Sequence, residues 1–344
     1  MTEKQGKVTI YDVAALAGVS VSSVSRVLHN VPNVRQDVRR RVEKAIDALE
    51  YVPNRTAQML KTRRSYTLVH IVADVTHPFY ITLHRRLRQE AEKRGYQLVL
   101  FDADKDGPRV KRYIQQSGGS IDGLICSARS VHEKLMQAFA ECELPVVFTH
   151  DCDQNRFDAV FPDPEQGVRL CMEHLLQLGH RRIAFVSSAV NDKVNCARLQ
   201  VYRDMLASAG IEVDDALIWQ AGEQLDGGYR AGMQLSTLEN APTAMYTGGD
   251  MLALGVLQAM HDRKWDVPGK MSVTGENNLP ISRGVRPALT TVTDPADSDA
   301  EMVMEYLLSR VEGRYNGPAR IVKTHGRELI VRESTGPALK KEEA

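Results

Sequence analysis

Cysteine is scarce and unpatterned in this 344-residue chain. Cys126, Cys142, Cys152, Cys171 and Cys196 are odd in number and fall in no CxxC or Cys/His ligand spacing, which excludes a disulfide framework and a zinc site as organising devices. They read as reduced, mostly buried small residues. Long apolar runs are missing too: nowhere do about 18 apolar residues follow one another, and the opening MTEKQGKVTIYDVA carries no run of signal-peptide length. A cytoplasmic protein that neither spans a membrane nor is secreted is the expectation. No GxGxxG opens the first βα turn, and no GxxxxGK[ST], GxSxG or HExxH is present. Lone His and Asp residues do not make a triad, so neither an enzyme nor a cofactor or metal site is expected.

What is present is length and an uneven charge distribution. At 344 residues and 43% hydrophobic composition the chain exceeds one ordinary core, and two or more folding units follow. The formal charge is zero overall, yet residues 1–64 hold 12 Lys and Arg against 6 Asp and Glu, leaving 32 against 38 for the remainder. An excess of six positive charges confined to one segment points to a polyanion for that segment alone. A solvated basic face accounts for it equally.

The apolar residues Ile10, Val13, Ala14 and Ala17 follow the i, i+3, i+4, i+7 spacing of one helix face, and Gly18 ends that helix. Ser20 serves as N-cap for a second short helix, Val21–Leu28, with Val24, Val27 and Leu28 inward and Val21, Ser22, Ser23, Ser25 and Arg26 outward. A third amphipathic helix spans Gln36–Glu50, with Val38, Val42, Ala45, Ile46 and Leu49 inside and Arg39, Arg40, Arg41 and Lys44 free for solvent or phosphate. Helix, tight turn, helix is a DNA-reading arrangement whose second helix enters the major groove, Val21 and Ser22 leading and Arg26 within reach of guanine or phosphate. On periodicity alone, a plain helical bundle fits as well.

The wording of the stretch goes further. TIYDVAALAGVSVSSVSRVLHN resembles the DNA-binding module of the lactose-repressor/galactose-repressor (LacI/GalR) family almost position for position, and VRRRVEKAIDALEYVPNRTAQMLKT continues the match. That resemblance implies Thr9, Ser20, Ser25 and Asn33 as phosphate contacts, with helix capping and turn chemistry as their plainer roles. It also implies a hinge helix that orders on DNA. In it Pro53 sets the start, Asn54 caps, Ala57 allows close helix contact and Leu60 is a minor-groove wedge acting in pairs.

From Tyr66 onward short apolar runs alternate with helical segments: TLVHIVA, YQLVLFDA, DGLICSA and PVVFTH, then RRIAFVSS, ALIWQAG, TAMYTGG and MSVTGEN. Such repetition predicts two doubly wound α/β lobes with parallel sheets, and a ligand cleft beyond the carboxyl ends of the strands. Segments DVTHPFY, EHLLQLGHRRIAF, GGDMLALGVLQAM and PALTTVTDP resemble the same family's effector domain, which is related to periplasmic sugar-binding proteins. The resemblance implies a helix-turn-helix domain at 1–52, a hinge and linker at 53–65, and an effector and dimerisation domain at 66–337, with a tail at 338–344. Within the larger domain the N-lobe takes 66–163 and 292–324, the C-lobe 164–291 and 325–337.

The family's ligand positions carry over unevenly. Phe79 in HPFY fits the apolar wall of the cleft, or ordinary core packing. Arg198 in CARLQVY matches an arginine that hydrogen-bonds effector oxygens, or else makes a surface ion pair. Asp250 matches a family Asp, though an N-cap explains it as well. Two positions depart: the usual Gly-Phe/Tyr-Asp reads Gly275-Glu276-Asn277, and another cleft Asp reads His150. His77, Glu223 and Asp226 are further candidates. Two lost acceptors beside an unpaired Arg198 suggest a less hydroxyl-rich or anionic effector. The reading is a homodimeric transcriptional regulator that acts as a repressor. It binds pseudo-palindromic double-stranded DNA under control of a small molecule, a sugar, sugar acid or related metabolite. GPALKKEEA at the C-terminus has no heptad run, which favours a dimer over a coiled-coil tetramer.

Overall fold

The computed structural model describes residues 8–28, 34–51, 64–104, 106–117, 119–128, 132–152, 156–188, 193–294 and 296–339. The chain forms two compact units, Met1–Ser65 and Tyr66–Ala344. Asn33 and the hinge positions Pro53, Asn54, Ala57 and Leu60 lie outside the described residues.

In the smaller unit, α1 (Ile10–Ala17), α2 (Val21–Leu28) and α3 (Gln36–Ala48) bury Val13, Ala14, Ala17, Val24, Val27, Val42, Ala45 and Tyr51 against one another. Gly18 turns the chain at φ 61°, a left-handed conformation that costs glycine no steric clash. Its neighbour Val19 returns an N–H to Ala14 O at 3.1 Å. The sharp turn sets α1 and α2 at 104°, within the range of helix-turn-helix modules. Arg41 reaches back from α3 to Ala17 O at 3.4 Å. The expected third helix ends at Ala48, not Glu50: Leu49 closes its last turn on Ala45 O, and Glu50 takes a positive φ of 47°.

The larger unit holds two six-stranded sheets. The first runs β11 (Ile321–Thr324), β5 (Asp158–Pro162), β4 (Val146–Phe148), β3 (Gly123–Cys126), β1 (Thr67–Val72), β2 (Gln97–Asp102), all parallel. The second runs β12 (Leu329–Ile330), β10 (Thr290–Val292), β9 (Ser272–Glu276), β8 (Ala244–Thr247), β6 (Ile183–Ser187), β7 (Ile218–Gln220), with only β12 antiparallel. Each sheet is covered on both faces. Val69, Ile71 and Leu124 face one apolar cluster and Leu68, Ile125 and Val147 the other, which is why these strands read as unbroken apolar runs. The chain passes between lobes after β5, after β10 and after β11. The last strand of the first sheet therefore follows, in sequence, most of the second.

Helix packing in the second lobe is unusually close. The helices α9 (Leu225–Leu235) and α10 (Asp250–Asp262) meet through Gly228, Gly232 and Gly255. In the first lobe, His70 interrupts the apolar run of β1 while fully buried. Burial, with the neighbouring His84 adding to it, holds the imidazole far down, at about 3. A base depressed in the folded state supplies stability that is present above the unfolded pKa of 6.5 and is lost as the pH falls below it. Replacing His70 with Gln should therefore flatten the acid side of the stability profile between pH 6.5 and 4.5, by about 1.4 kcal/mol per pH unit. Denaturant unfolding of both proteins at the two pH values reads the difference; parallel profiles would show that His70 titrates normally.

Candidate functional sites

The outward face of α2 carries exposed Ser22 and Arg26, with Val21 and Ser25 half-buried beside them. Ser20 is engaged locally: its Oγ accepts from Ser23 N at 3.2 Å and lies 2.8 Å from Ser22 Oγ. Capping fixes the start of the helix that would enter a groove. Thr9 donates both its backbone N–H and its hydroxyl to Asp12, each at 2.7 Å. Those bonds hold the Asp12 carboxyl below its ordinary range and commit the Thr9 hydrogen to the cap. A phosphate at Thr9 would have to take that hydrogen from Asp12.

In the larger unit, loops at the carboxyl ends of both sheets enclose a cavity of about 140 Å³, roughly ten times the 10–15 Å³ that one water requires. The first lobe contributes Phe79 and Tyr80 from the start of α4 (Pro78–Lys93), Ser127 after β3, and Thr149, His150 and Asp151 after β4. His77 caps α4, its Nδ1 accepting from Phe79 N at 3.3 Å. From the second lobe come Ser188, Glu223, the Gly248–Gly249 turn, Asn277 after β9, and Arg198 on α8 (Lys193–Ser208). Asp294 and Arg327, on two of the segments that cross between lobes, complete the lining. Of the residues expected from sequence, Phe79, His150, Arg198, Asn277, His77 and Glu223 meet here.

Asp250 and Asp226 are not among the residues lining the cavity. The Asp250 carboxylate is fully buried and accepts from Leu279 N and Ser282 Oγ at 2.6 Å and Thr291 Oγ1 at 2.5 Å. It ties the loop after β9 to α10. Burial pushes its carboxyl up to about 6 against the pull of these three donors, a cost tolerated because each oxygen is hydrogen-bonded. Nor is it an N-cap: Gly249 takes that place and Asp250 is the first helical residue.

The expectation of an unpaired cleft arginine is also corrected. Arg198 Nη2 lies 2.7 Å from Glu276 Oε2, a carboxylate with no exposed surface. The same oxygen takes Arg327 Nη1 at 2.8 Å, and Tyr246 donates its hydroxyl to the other. Arg327 continues to Asp294 Oδ1 at 2.7 Å, and Asn277 Nδ2 donates to Asp294 Oδ2 at 2.9 Å. Burial works against the Arg327 charge, but Asp294 and Glu276 together outweigh it and raise its pKa above the usual value. Two guanidiniums thus face two carboxylates, and the acceptor lost at Asn277 reappears behind it as Asp294. Gly167 makes room for this cluster: a Cβ there would sit 2.6 Å from Arg327 Nη1. Asp294 and Arg327 escape a sequence reading because only the crossings between lobes bring them to the cleft. Thr149 and Asp151 were findable, since they flank His150 at the end of a predicted strand.

Comparison with known proteins covers both units. Residues 9–54 match the family model for bacterial regulatory proteins of the lacI family, and residues 172–335 the model of a periplasmic binding protein-like domain. The catabolite control protein A of Priestia megaterium is 32% identical over 87% of this chain and 91% of its own. The ribose operon repressor of Escherichia coli strain K12 is 30% identical over 88% and 93%. Among solved structures, a lac repressor dimer bound to operator and an anti-inducer superposes with a TM-score of 0.78 at 25% identity, covering 96% of this chain and 100% of that one. The regulator CelR in complex with cellobiose gives 0.70 at 27%, covering 95% and 99%. The chain belongs to the lacI family of bacterial regulatory proteins. It is a DNA-binding transcriptional regulator in which a helix-turn-helix domain precedes a two-lobed, periplasmic-binding-protein-like domain.

Proposed function

We propose that the chain is a homodimeric repressor, acting in the cytoplasm, that reads a pseudo-palindromic operator with one α2 per half-site and releases or tightens on it when a neutral, polar small molecule fills the inter-lobe cleft. The observation that carries the effector class is the Arg198–Glu276–Arg327–Asp294 cluster, which leaves no uncompensated positive charge for an anion. The cluster is balanced within itself, and the rest of the lining adds the carboxylates of Asp151 and Glu223 beside hydroxyl and amide groups, which suits a neutral sugar or polyol over an anion. One structural neighbour is a complex with cellobiose and one relative is named as the repressor of a ribose operon, and both sugars are neutral. Phe79, His150, Arg198 and Asn277 are assigned to the ligand, joined by Thr149, Asp151, Asp294 and Arg327; Asp250 serves the scaffold. Effector binding would bias the lobe arrangement and so DNA affinity, by about 1–3 kcal/mol. Isothermal titration with matched pairs of neutral sugars and sugar acids tests the class, and selective binding of the acids would defeat it.

On the DNA side, Val21, Ser22 and Arg26 are assigned to base edges, and Thr9, Ser20, Ser25 and Asn33 to phosphates. From the family resemblance, Asn54, Ala57 and Leu60 are assigned to the hinge. Operator fragments are obtained by selecting genomic DNA on the immobilised protein, and the genes beside them nominate effectors. Arg26→Ala should weaken operator binding by about 1–3 kcal/mol if it contacts a base, or lower the salt dependence by about one counterion if it contacts phosphate. Fluorescence anisotropy across a salt series separates the two. Unchanged affinity in both Arg26→Ala and Leu60→Ala would rule out this docking.

A further inference from the structure

A line of hydrogen-bonding side chains leads from the cleft through the first sheet to α4. Thr149 and Ser127 both line the cleft and their hydroxyls lie 2.7 Å apart. Ser127 Oγ is 2.7 Å from His70 Nε2. On the other side of that ring, His70 Nδ1 faces His84 Nδ1 at 3.3 Å, with the two ring planes within 7° of parallel. His84 is half-buried on α4, three residues from the exposed Ile81. All four side chains can both donate and accept.

We propose that Ser127, His70 and His84 form a reversible hydrogen-bond chain that passes the donor or acceptor character of a group bound at Thr149 to the outer ring nitrogen of His84 on α4. The proposal rests on the cleft being the effector site. Burial disfavours charge on both rings, and at His84 the nearby Arg88 adds to it. Both imidazoles are therefore neutral, and one hydrogen serves the two facing Nδ1 atoms. That leaves two ordered states. With a ligand acceptor at Thr149, the Thr149 hydroxyl donates into the cleft, Ser127 donates to Thr149, His70 donates from Nε2 to Ser127, and His84 donates from Nδ1 to His70. The outer Nε2 of His84 is then a bare lone pair. With a ligand donor every bond reverses, and His84 presents Nε2–H. A fixed donor at position 70 would commit this wall of the cleft to one polarity; histidine lets it serve either. The tautomer of His84 then records which group is bound.

Long-range proton–nitrogen NMR of the full chain, labelled with ¹⁵N-histidine and without ligand, tests the chain directly. In the unsubstituted protein the two rings must hold opposite tautomers, the Nδ1–H population of one equalling the Nε2–H population of the other. Both rings in the same tautomer overturns the proposal. Ser127→Ala removes the partner of His70 Nε2. A bare buried lone pair is less costly there than a bare N–H, so His70 becomes Nδ1–H and His84 becomes Nε2–H by about tenfold or more. An Nδ1–H majority at His84 in that variant is contrary to the chain. In a His70→Phe background the same Ser127 substitution should leave His84 unmoved, and any response would mean the signal bypasses His70. Because no ligand is used, the chain can fail while the cleft assignment stands.

Discussion

Glu276→Ala is expected to lower the unfolding free energy of the larger unit by about 3–5 kcal/mol, the range for removing one partner of a buried ion pair. The carboxylate has no exposed surface and takes Arg198, Arg327 and the Tyr246 hydroxyl on two oxygens. Its loss leaves two buried guanidiniums with their main counter-ion gone. Glu276→Gln keeps the shape, and its NH2 can donate to the Tyr246 hydroxyl while its oxygen takes both guanidiniums, but it removes the negative charge they face, so it should fall between Glu276→Ala and the unsubstituted protein. Arg198→Met should cost clearly less, because Glu276 keeps Arg327 and Tyr246. That asymmetry is diagnostic of a carboxylate acting as a hub. Urea unfolding followed by tryptophan fluorescence reads it, since both tryptophans, Trp219 and Trp265, pack against the core of the second lobe. A loss below about 1 kcal/mol for Glu276→Ala, in the range of exposed pairs, would refute the hub.

The same cluster marks where sequence reading stops. The bounds of α1 and α2 were legible because they depend on neighbours a few residues away: the Thr9–Asp12 cap, the Gly18 turn, the Ser20 cap and the apolar spacing of one helix face. The strands were legible because a strand buried on both faces is a short apolar run, and a doubly wound sheet puts its ligand loops at the carboxyl ends. Phe79, His150, Arg198 and Asn277 were named from the family resemblance, and all four line the cavity. The partner of Arg198 was not, because Glu276 is 78 residues away and a single arginine in a motif does not announce whether a carboxylate stands behind it. Asp250 shows the complementary difficulty. It occupies the first turn of α10 beside the cleft-lining Gly249, but only the fold of the loop after β9 reveals that its carboxylate points inward, to Leu279, Ser282 and Thr291. His70 was read merely as part of a strand, since nothing in TLVHIVA tells which helix residue meets its ring.

Gly255→Ala is expected to destabilise the second lobe by about 3 kcal/mol, at the upper end of the usual overpacking range, although alanine is the better helix former by about 1 kcal/mol. The opposing force is contact between backbones. A Cβ on Gly255 would sit 2.0 Å from Leu225 O and 2.6 Å from Tyr229 N, and across the same interface one on Gly228 would sit 2.0 Å from Leu252 O. None of these is the end of a flexible side chain, so relief requires α9 and α10 to separate along their length. Both helices begin at the cleft, α9 just after Glu223 and α10 just after Gly249. Separation would therefore also move the second lobe's wall and weaken effector binding while leaving the helix-turn-helix unit folded. Gly284→Ala is the control, since its Cβ meets nothing closer than 3.5 Å, and it should be neutral or stabilising by up to about 1 kcal/mol. Thermal and denaturant unfolding of the two variants gives the comparison. Equal stabilities would mean that the helices part at little cost, and that the three glycines between them do not set their distance.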